Sequence, residues 1–381
     1  MEVTILMPCL NEAETLAICI RKAKKFLSDN KIDGEILIAD NGSTDGSQEI
    51  AKSEGARVIH VEIKGYGSAL INGSHNALGK YVIMGDADDS YDFLHLMPFI
   101  EKLREGYDLV MGNRFAGGIE EGAMPWSHKY IGNPVLSFIG RLFFRSKIRD
   151  FHCGLRGYNR ESILGLHLHT TGMEYASEMV VKSELYGLKI AEVPTTLKKD
   201  GRSGAPHLRS FRDGWRHLKF LLMYSPNWLL LYPGILFLLI GIGFGAVLTF
   251  DQISINNAKL SIHTLLYCST MIVIGLNILQ MYIILKVYAY NHGFLPQNSI
   301  NWNSKIKEDK FILWGGIVSL FGFTLSLIAL IIWNNSQMGT LNAEHTMRIV
   351  IPSTLFLIVG IQLVCTGFMV GIMKVKKESN G

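Results

Sequence analysis

Two carboxylates one residue apart, Asp86 and Asp88, close a short apolar run from Tyr81 to Met84. The run reads as a buried strand. Carboxylates at the C-terminal end of a strand in an open α/β sheet lie where such sheets bind ligands. Hard oxygen donors on a short turn suit Mg²⁺ or Mn²⁺ carrying a diphosphate. A strand ending in an acidic turn would show the same residues without any chemistry, so the pair takes its meaning from its surroundings.

The elements that must position this pair alternate. Val3 to Met7, Glu35 to Ala39, Val58 to Ile63, Tyr81 to Met84 and Leu109 to Met111 read as strands. Between them Glu12 to Asn30, Ser47 to Glu54, Ser68 to Leu78 and Leu94 to Arg104 have helical spacing, with Asn11 expected as the N-cap of the first. Strand and helix in alternation imply an α/β fold with a doubly wound, mostly parallel sheet. Loops at strand ends would then bring Asn11, Glu12, Asp40, Lys64, Asp86 and Asp88 to one rim.

The mean hydropathy of +0.22 is high for a water-soluble protein, and the excess lies after Trp228. Four apolar stretches follow, about 228–250, 265–289, 311–333 and 349–372, each long enough to cross roughly 30 Å of hydrocarbon. The N-terminus begins almost at once with a strand and has no signal-peptide pattern. Lys286 lies near the end of the second span, Lys305, Lys307 and Lys310 follow it, and Lys374, Lys376 and Lys377 follow the fourth. The other loops hold only Lys259 and Arg348, so both termini and the first domain are expected in the cytoplasm. The expected domains are 1–204, an amphipathic helix over 205–225, and an all-α membrane domain over 226–381.

Through residue 227 there are 28 Lys and Arg against 28 Asp and Glu, a neutral balance that disfavours nucleic acid as a partner. The five cysteines, Cys9, Cys19, Cys153, Cys268 and Cys365, have no metal-site or disulfide spacing and read as small apolar fillers.

Met7 to Glu12, the run Asp40 to Ser47, Gly65-Tyr66-Gly67 and Gly85 to Asp88 together resemble the nucleotide-sugar half of the family-2 glycosyltransferases with the GT-A fold. The resemblance implies that Pro8, Asn11, Glu12, Asp40, Lys64, Asp86 and Ala87 line the nucleotide-sugar pocket. It also implies that Asp86 and Asp88 hold Mg²⁺ or Mn²⁺, with Asp88 catalytic. Asp150 to Tyr158, Gly172 to Met179, and Ala191 to Thr195 with Arg202-Ser203-Gly204 narrow it to the polyprenyl-phosphate sugar synthases, the group of dolichyl-phosphate mannose synthase and bactoprenol glucosyltransferase. The implied reaction moves a hexose from UDP-glucose or GDP-mannose to a polyprenyl phosphate, inverting the anomeric carbon. The incoming phosphate needs cations, and Arg114 is the first choice, then Arg202, then Lys129. A structural ion pair is the alternative for each. Asp150 and Glu178 are expected to position other groups.

A lipid acceptor agrees with the residues before the first span. Leu208, Phe211, Trp215, Leu218 and Leu222 fall on one helical face, and Arg209, Arg212, Arg216 and Lys219 on the adjoining one. That is the pattern of a helix lying in the headgroup layer, although a plain basic flank of a span would look similar. Tyr130 to Phe144 is a second amphipathic stretch, with a core helix as its alternative. Competing functions are transfer to a glycerolipid or lipid-linked glycan, and a flippase for a lipid-linked sugar. Only Lys286 places a basic charge inside a span, which weighs against transport. A homo-oligomer is left open.

Overall fold

A computed structural model describes residues 1–202, 210–255, 258–291 and 301–375. Ser203, Gly204, Leu208, Arg209, Lys376 and Lys377 lie outside the described residues. The chain divides into two compact units, Met1–Tyr224 and Ser225–Gly381.

The first unit is a seven-stranded sheet in the order β3-β2-β1-β4-β6-β5-β7. Its strands are β1 (Val3–Cys9), β2 (Gly34–Asp40), β3 (Arg57–His60), β4 (Tyr81–Met84), β5 (Leu109–Asn113), β6 (Arg156–Asn159) and β7 (Ile190–Pro194). All run parallel except β6, which is antiparallel to both β4 and β5. The major helices are α1 (Leu16–Asp29), α2 (Ser47–Ser53), α3 (Tyr66–Asn76) and α4 (Met97–Arg104). A short turn α5 (Arg114–Gly117), α6 (Asn133–Phe144), α7 (Arg160–Leu164), α8 (Tyr175–Leu185) and α9 (Ser210–Tyr224) complete the unit.

Period-two alternation divides the core. Val3, Ile5 and Met7 belong to a cluster with Leu16 and Ile20 of α1 and Phe99 of α4. Leu6, Leu37 and Met84 belong to a second cluster with Leu70 of α3 and Met179 of α8. Both sheet faces are thus covered, which is why these strands read as continuous apolar runs. The register pairs Cys9 with Asp40, and Leu6 with Met84. The ends of β1, β2 and β4 therefore share one rim, and the strand order reverses between β1 and β4, where open sheets bind ligands.

The sequence gives no sign of β6, because Arg-Gly-Tyr-Asn is not an apolar run. Arg156 enters it fully buried and donates to the carbonyls of Phe151, Cys153 and Ala176 at 2.8–3.1 Å. Asn11 is not the N-cap of α1. It sits in a left-handed turn at φ 59°, and the helix starts four residues past the expected Glu12.

The second unit holds four helices long and apolar enough to cross a membrane: Asn227–Phe250, Ile262–Asn291, Trp302–Asn335 and Ala343–Lys374. Small residues let them approach closely. A Cβ on Gly275 would lie 2.9 Å from the Gly234 carbonyl, and one on Gly315 would lie 2.7 Å from that of Gly360. Four cysteines are buried fillers as expected, but Cys365 is exposed on the fourth span.

Candidate active site

Two loops laced together form one side of the rim. The Asn11 carboxamide accepts from the Thr44 amide at 2.8 Å, and the Asn11 amide donates to Ser43 Oγ at 2.9 Å. The Glu12 amide donates to Ser47 Oγ, and the Ala13 amide to Asp45 Oδ2, both at 2.9 Å. Asp40 is 1% exposed and spends its oxygens on the amides of Gly42 and Ser43 and on Gln48 Nε2. Asp40 thus shapes the turn from within. Asn41, which sequence reasoning did not single out, ties the same turn to the next one. Its side chain donates to the Val61 and Ile63 carbonyls and accepts from the Gly65 amide. Lys64 is exposed and donates to the Asn41 carbonyl at 2.6 Å.

The carboxylate pair lies opposite. Asp86 is half-buried, and the Tyr66 hydroxyl donates to its Oδ1 at 3.0 Å. Burial first, then the charge of Asp88, pushes the Asp86 carboxyl up to about 7 against that hydrogen bond and the nearby Arg202 and Arg114. Asp88 Oδ1 accepts from the amide and hydroxyl of Ser90, leaving Oδ2 toward Arg202 at 3.4 Å. The carbonyl of the buried Ala87 between them is held by Thr15 Oγ1 at 2.7 Å.

Tyr66 reaches Asp86 because α3 begins against another loop. Gly65 has φ 135°, a conformation that side chains rarely adopt. A Cβ on Gly67 would fall 2.2 Å from the Thr170 carbonyl, so no side chain fits between these backbones. Glu178 fixes the Thr170 loop. It is fully buried and accepts from the Thr170 amide and hydroxyl at 2.9 and 2.6 Å, with Lys182 paired at 2.9 Å. The expectation that Glu178 positions other groups has this concrete form. Tyr66 was missed as a site residue; its clue was its place between two glycines that follow a strand.

Arg114 is the first choice for an incoming phosphate, with a structural ion pair as the alternative, and the structure shows it in an ion pair. It is buried, and its Nε and Nη2 donate to the two oxygens of Asp150, each at 2.8 Å. Asp150 is itself fully buried and accepts the Arg114 amide at 3.1 Å. A guanidinium removed from water must be paired, and Asp150 takes both prongs of the fork. Lys129 is half-buried in the turn before α6, 5.7 Å from the Tyr130 ring, and makes no ion pair among the described residues. Arg202 reaches three carboxylates: Asp200, Glu12 Oε1 at 2.9 Å, and Asp88.

Hard oxygen donors on a turn are the set that Mg²⁺ and Mn²⁺ take. Asp86 and Asp88 fit such an ion, and the neighbouring Glu12 keeps Oε2 buried without a hydrogen-bond partner. Among the described residues no third His, Cys, Asp or Glu completes a ligand cluster.

The helices α6 and α9 pack together. Phe220 and Leu221 of α9 meet Leu136, Ile139 and Phe143 of α6. The inward face of α9 is therefore His217, Phe220, Leu221 and Tyr224, while of the stripe expected to face the headgroup layer Trp215 is exposed and Leu218 and Leu222 are half-buried. Trp126, Tyr130, Ile131, Val135, Phe138 and Leu142 are exposed along α6 and the turn before it. Tyr130 to Phe144 is thus core on one side and an open apolar strip on the other.

Residues 4–165 match the glycosyl transferase family 2, and residues 283–374 match the glycosyltransferase family 2 C-terminal transmembrane region. The low-salt glycan biosynthesis hexosyltransferase Agl6 of Haloferax volcanii is 32% identical over 370 residues, covering 97% of this chain and 88% of that protein. The chain belongs to glycosyl transferase family 2. It is a membrane-integral glycosyltransferase with a GT-A-like sheet followed by four apolar helices. The dolichyl-phosphate hexose transferase of the same organism is 28% identical over 214 residues, covering 56% of this chain and 89% of that protein. Among solved structures, glucosyl-3-phosphoglycerate synthase from Mycobacterium tuberculosis, in complex with Mn²⁺ and UDP, covers 59% of this glycosyltransferase and 80% of its own chain at 21% identity and a TM-score of 0.47.

Proposed function

We propose that this glycosyltransferase moves one hexose from a nucleotide sugar, UDP-glucose or GDP-mannose, to a polyprenyl phosphate such as dolichyl phosphate. The observation that carries the reading is the Asp86–Asp88 pair, held by Tyr66 and Ser90 at the sheet's switch point in a chain with four spans. Similarity to a dolichyl-phosphate hexose transferase supports the lipid class. So do the exposed apolar strip on α6 and the basic residues Arg212, Arg216 and Lys219 of α9, residue types suited to an anionic lipid surface.

Pro8, Asn11, Glu12, Asp40 and Lys64 frame the nucleotide. Asp86 and Asp88 would hold Mg²⁺ or Mn²⁺, which when bound supplies positive charge for the departing diphosphate. A polyprenyl phosphate is already an anion at neutral pH, so the protein needs no strong base. The acceptor oxygen bonds to the anomeric carbon as the bond from that carbon to the diphosphate breaks, and attack from the opposite face inverts the centre. Lys129 and Arg202 neutralise the incoming phosphate, while the charge of the buried Arg114, paired with Asp150, acts on Asp86. The catalytic unit and both termini face the cytoplasm, following the basic residues around the spans.

The test uses the purified full chain in liposomes with polyprenyl phosphate and a panel of nucleotide sugars. Metal-dependent formation of a polyprenyl-phosphate hexose from one donor is the expected result. Transfer to a glycerolipid or a lipid-linked glycan, with none to polyprenyl phosphate, would overturn the acceptor.

A further inference from the structure

Arg202 is delivered to the carboxylate pair by a short strap. The Lys198 amide donates to the Ser90 carbonyl at 2.9 Å, and the Gly201 amide to the Asp88 carbonyl at 3.0 Å. Residues 198–201 therefore run along the very turn that carries Asp88. The Arg202 side chain then divides itself unequally. Nε donates to both Asp200 oxygens at 2.9 and 2.8 Å, and Nη2 also contacts Asp200. Nη1 reaches Glu12 at 2.9 Å, whereas the contact to Asp88 is 3.4 Å. Charge-assisted hydrogen bonds of full strength run about 2.7–2.9 Å, so Asp200 holds the guanidinium firmly and Asp88 holds it loosely. Glu12 is 8% exposed and has one oxygen buried without a partner, so this guanidinium leaves the carboxylate cluster only partly satisfied.

Resting on the reaction proposed above, we infer that Arg202 is a tethered stand-in for the divalent ion. It neutralises Asp88 and Glu12 until metal and diphosphate arrive, then yields Asp88 while staying hitched to Asp200. The released face of the guanidinium presents its charge to the anionic substrates. The arrangement keeps carboxylates from confronting one another without a cation, and it makes arginine and metal rivals for the same oxygen. Asp200 sets the balance, because a firmer tether leaves less of the guanidinium's charge for Asp88.

The rivalry has a sign that a plain phosphate-binding arginine would not produce. The experiment titrates Mn²⁺ alone, without nucleotide, into the purified full chain and follows loss of the free-ion signal by electron paramagnetic resonance. Arg202→Gln should bind Mn²⁺ about ten-fold more tightly than wild type. Asp200→Asn, which frees the arginine to lean on Asp88, should bind it more weakly. Lys22→Gln removes a cation paired with the adjacent Asp89 at 2.6 Å and should change affinity less than about two-fold. Unchanged Mn²⁺ affinity in both Arg202→Gln and Asp200→Asn, or equal tightening in Lys22→Gln, would overturn the inference. Mn²⁺ binding that survives Asp88→Asn would overturn the metal assignment itself, and this inference with it.

Discussion

The Tyr66 hydroxyl donates to Asp86 Oδ1 at 3.0 Å, joining the first turn of α3 to the end of β4. Tyr66 is held there in turn by the backbone contact of Gly67 with the Thr170 loop, and that loop hangs on Glu178. A buried glutamate on α8 is thus linked to Asp86 through the Thr170 loop and the first turn of α3.

Tyr66→Phe removes one donor and leaves the ring. A hydrogen bond to a charged group contributes roughly 1.5–3 kcal/mol, so turnover should fall about ten-fold or more while the thermal unfolding midpoint moves little. Steady-state kinetics beside thermal unfolding checks both. An unchanged kcat/KM would remove Tyr66 from the site.

Asp88→Asn should leave the fold intact and lower turnover by on the order of 10²–10³. The amide keeps the shape and the Ser90 contacts in part but loses the charge. Activity within a few-fold of wild type, after chelation and metal restoration, would count against the metal assignment.

Arg114→Ala should act on stability before it acts on the acceptor. Breaking a buried pair by removing one partner costs about 3–5 kcal/mol, because Asp150 is left charged and out of water. Arg114→Ala with Asp150→Ala together should recover part of that loss. Thermal unfolding of the two single variants and the double variant measures the coupling. Strictly additive losses would mean that the pair seen at 2.8 Å contributes nothing.

Glu178 carries a pH dependence of known sign. Burial raises its carboxyl, but the Thr170 hydroxyl and amide and Lys182 outweigh burial and hold it below the ordinary glutamate range. A lowered folded-state value means the unfolded chain binds the proton first. The stabilisation is therefore present above the usual glutamate range and is lost as pH falls through the lowered value. Glu178→Gln should be clearly less stable than wild type at pH 7, and the gap should close in acid. Unfolding midpoints at neutral and acidic pH test this; a gap that widens in acid contradicts it.

The strands β1 to β5 and the four spans were legible because apolar runs and their lengths follow directly from burial. The rim was legible too, since Asp40, Asp86 and Asn11 end or follow such runs. The partner of Arg114 was not legible for a physical reason: Asp150 lies 36 residues away, in the segment that leads into β6. Nothing local distinguishes an arginine waiting for a phosphate from one already bound to a distant aspartate. The inward face of α9 was not legible either. That helix has apolar residues on two sides, and periodicity alone does not say which side meets α6.

Backbone touches backbone where Gly234 meets Gly275 and again where Gly315 meets Gly360, so the first and second spans are fused along a seam, as are the third and fourth. Between the two hairpins the facing residues are larger: Leu265 clusters with Ile351, and Val287 with Val370, and Asn291 donates to the Met373 carbonyl. Mechanically the bundle counts as two thick rods. Its softest joint is the side-chain layer between the second and fourth helices, and a bulky residue at Gly360 would split one rod while leaving that joint as it was.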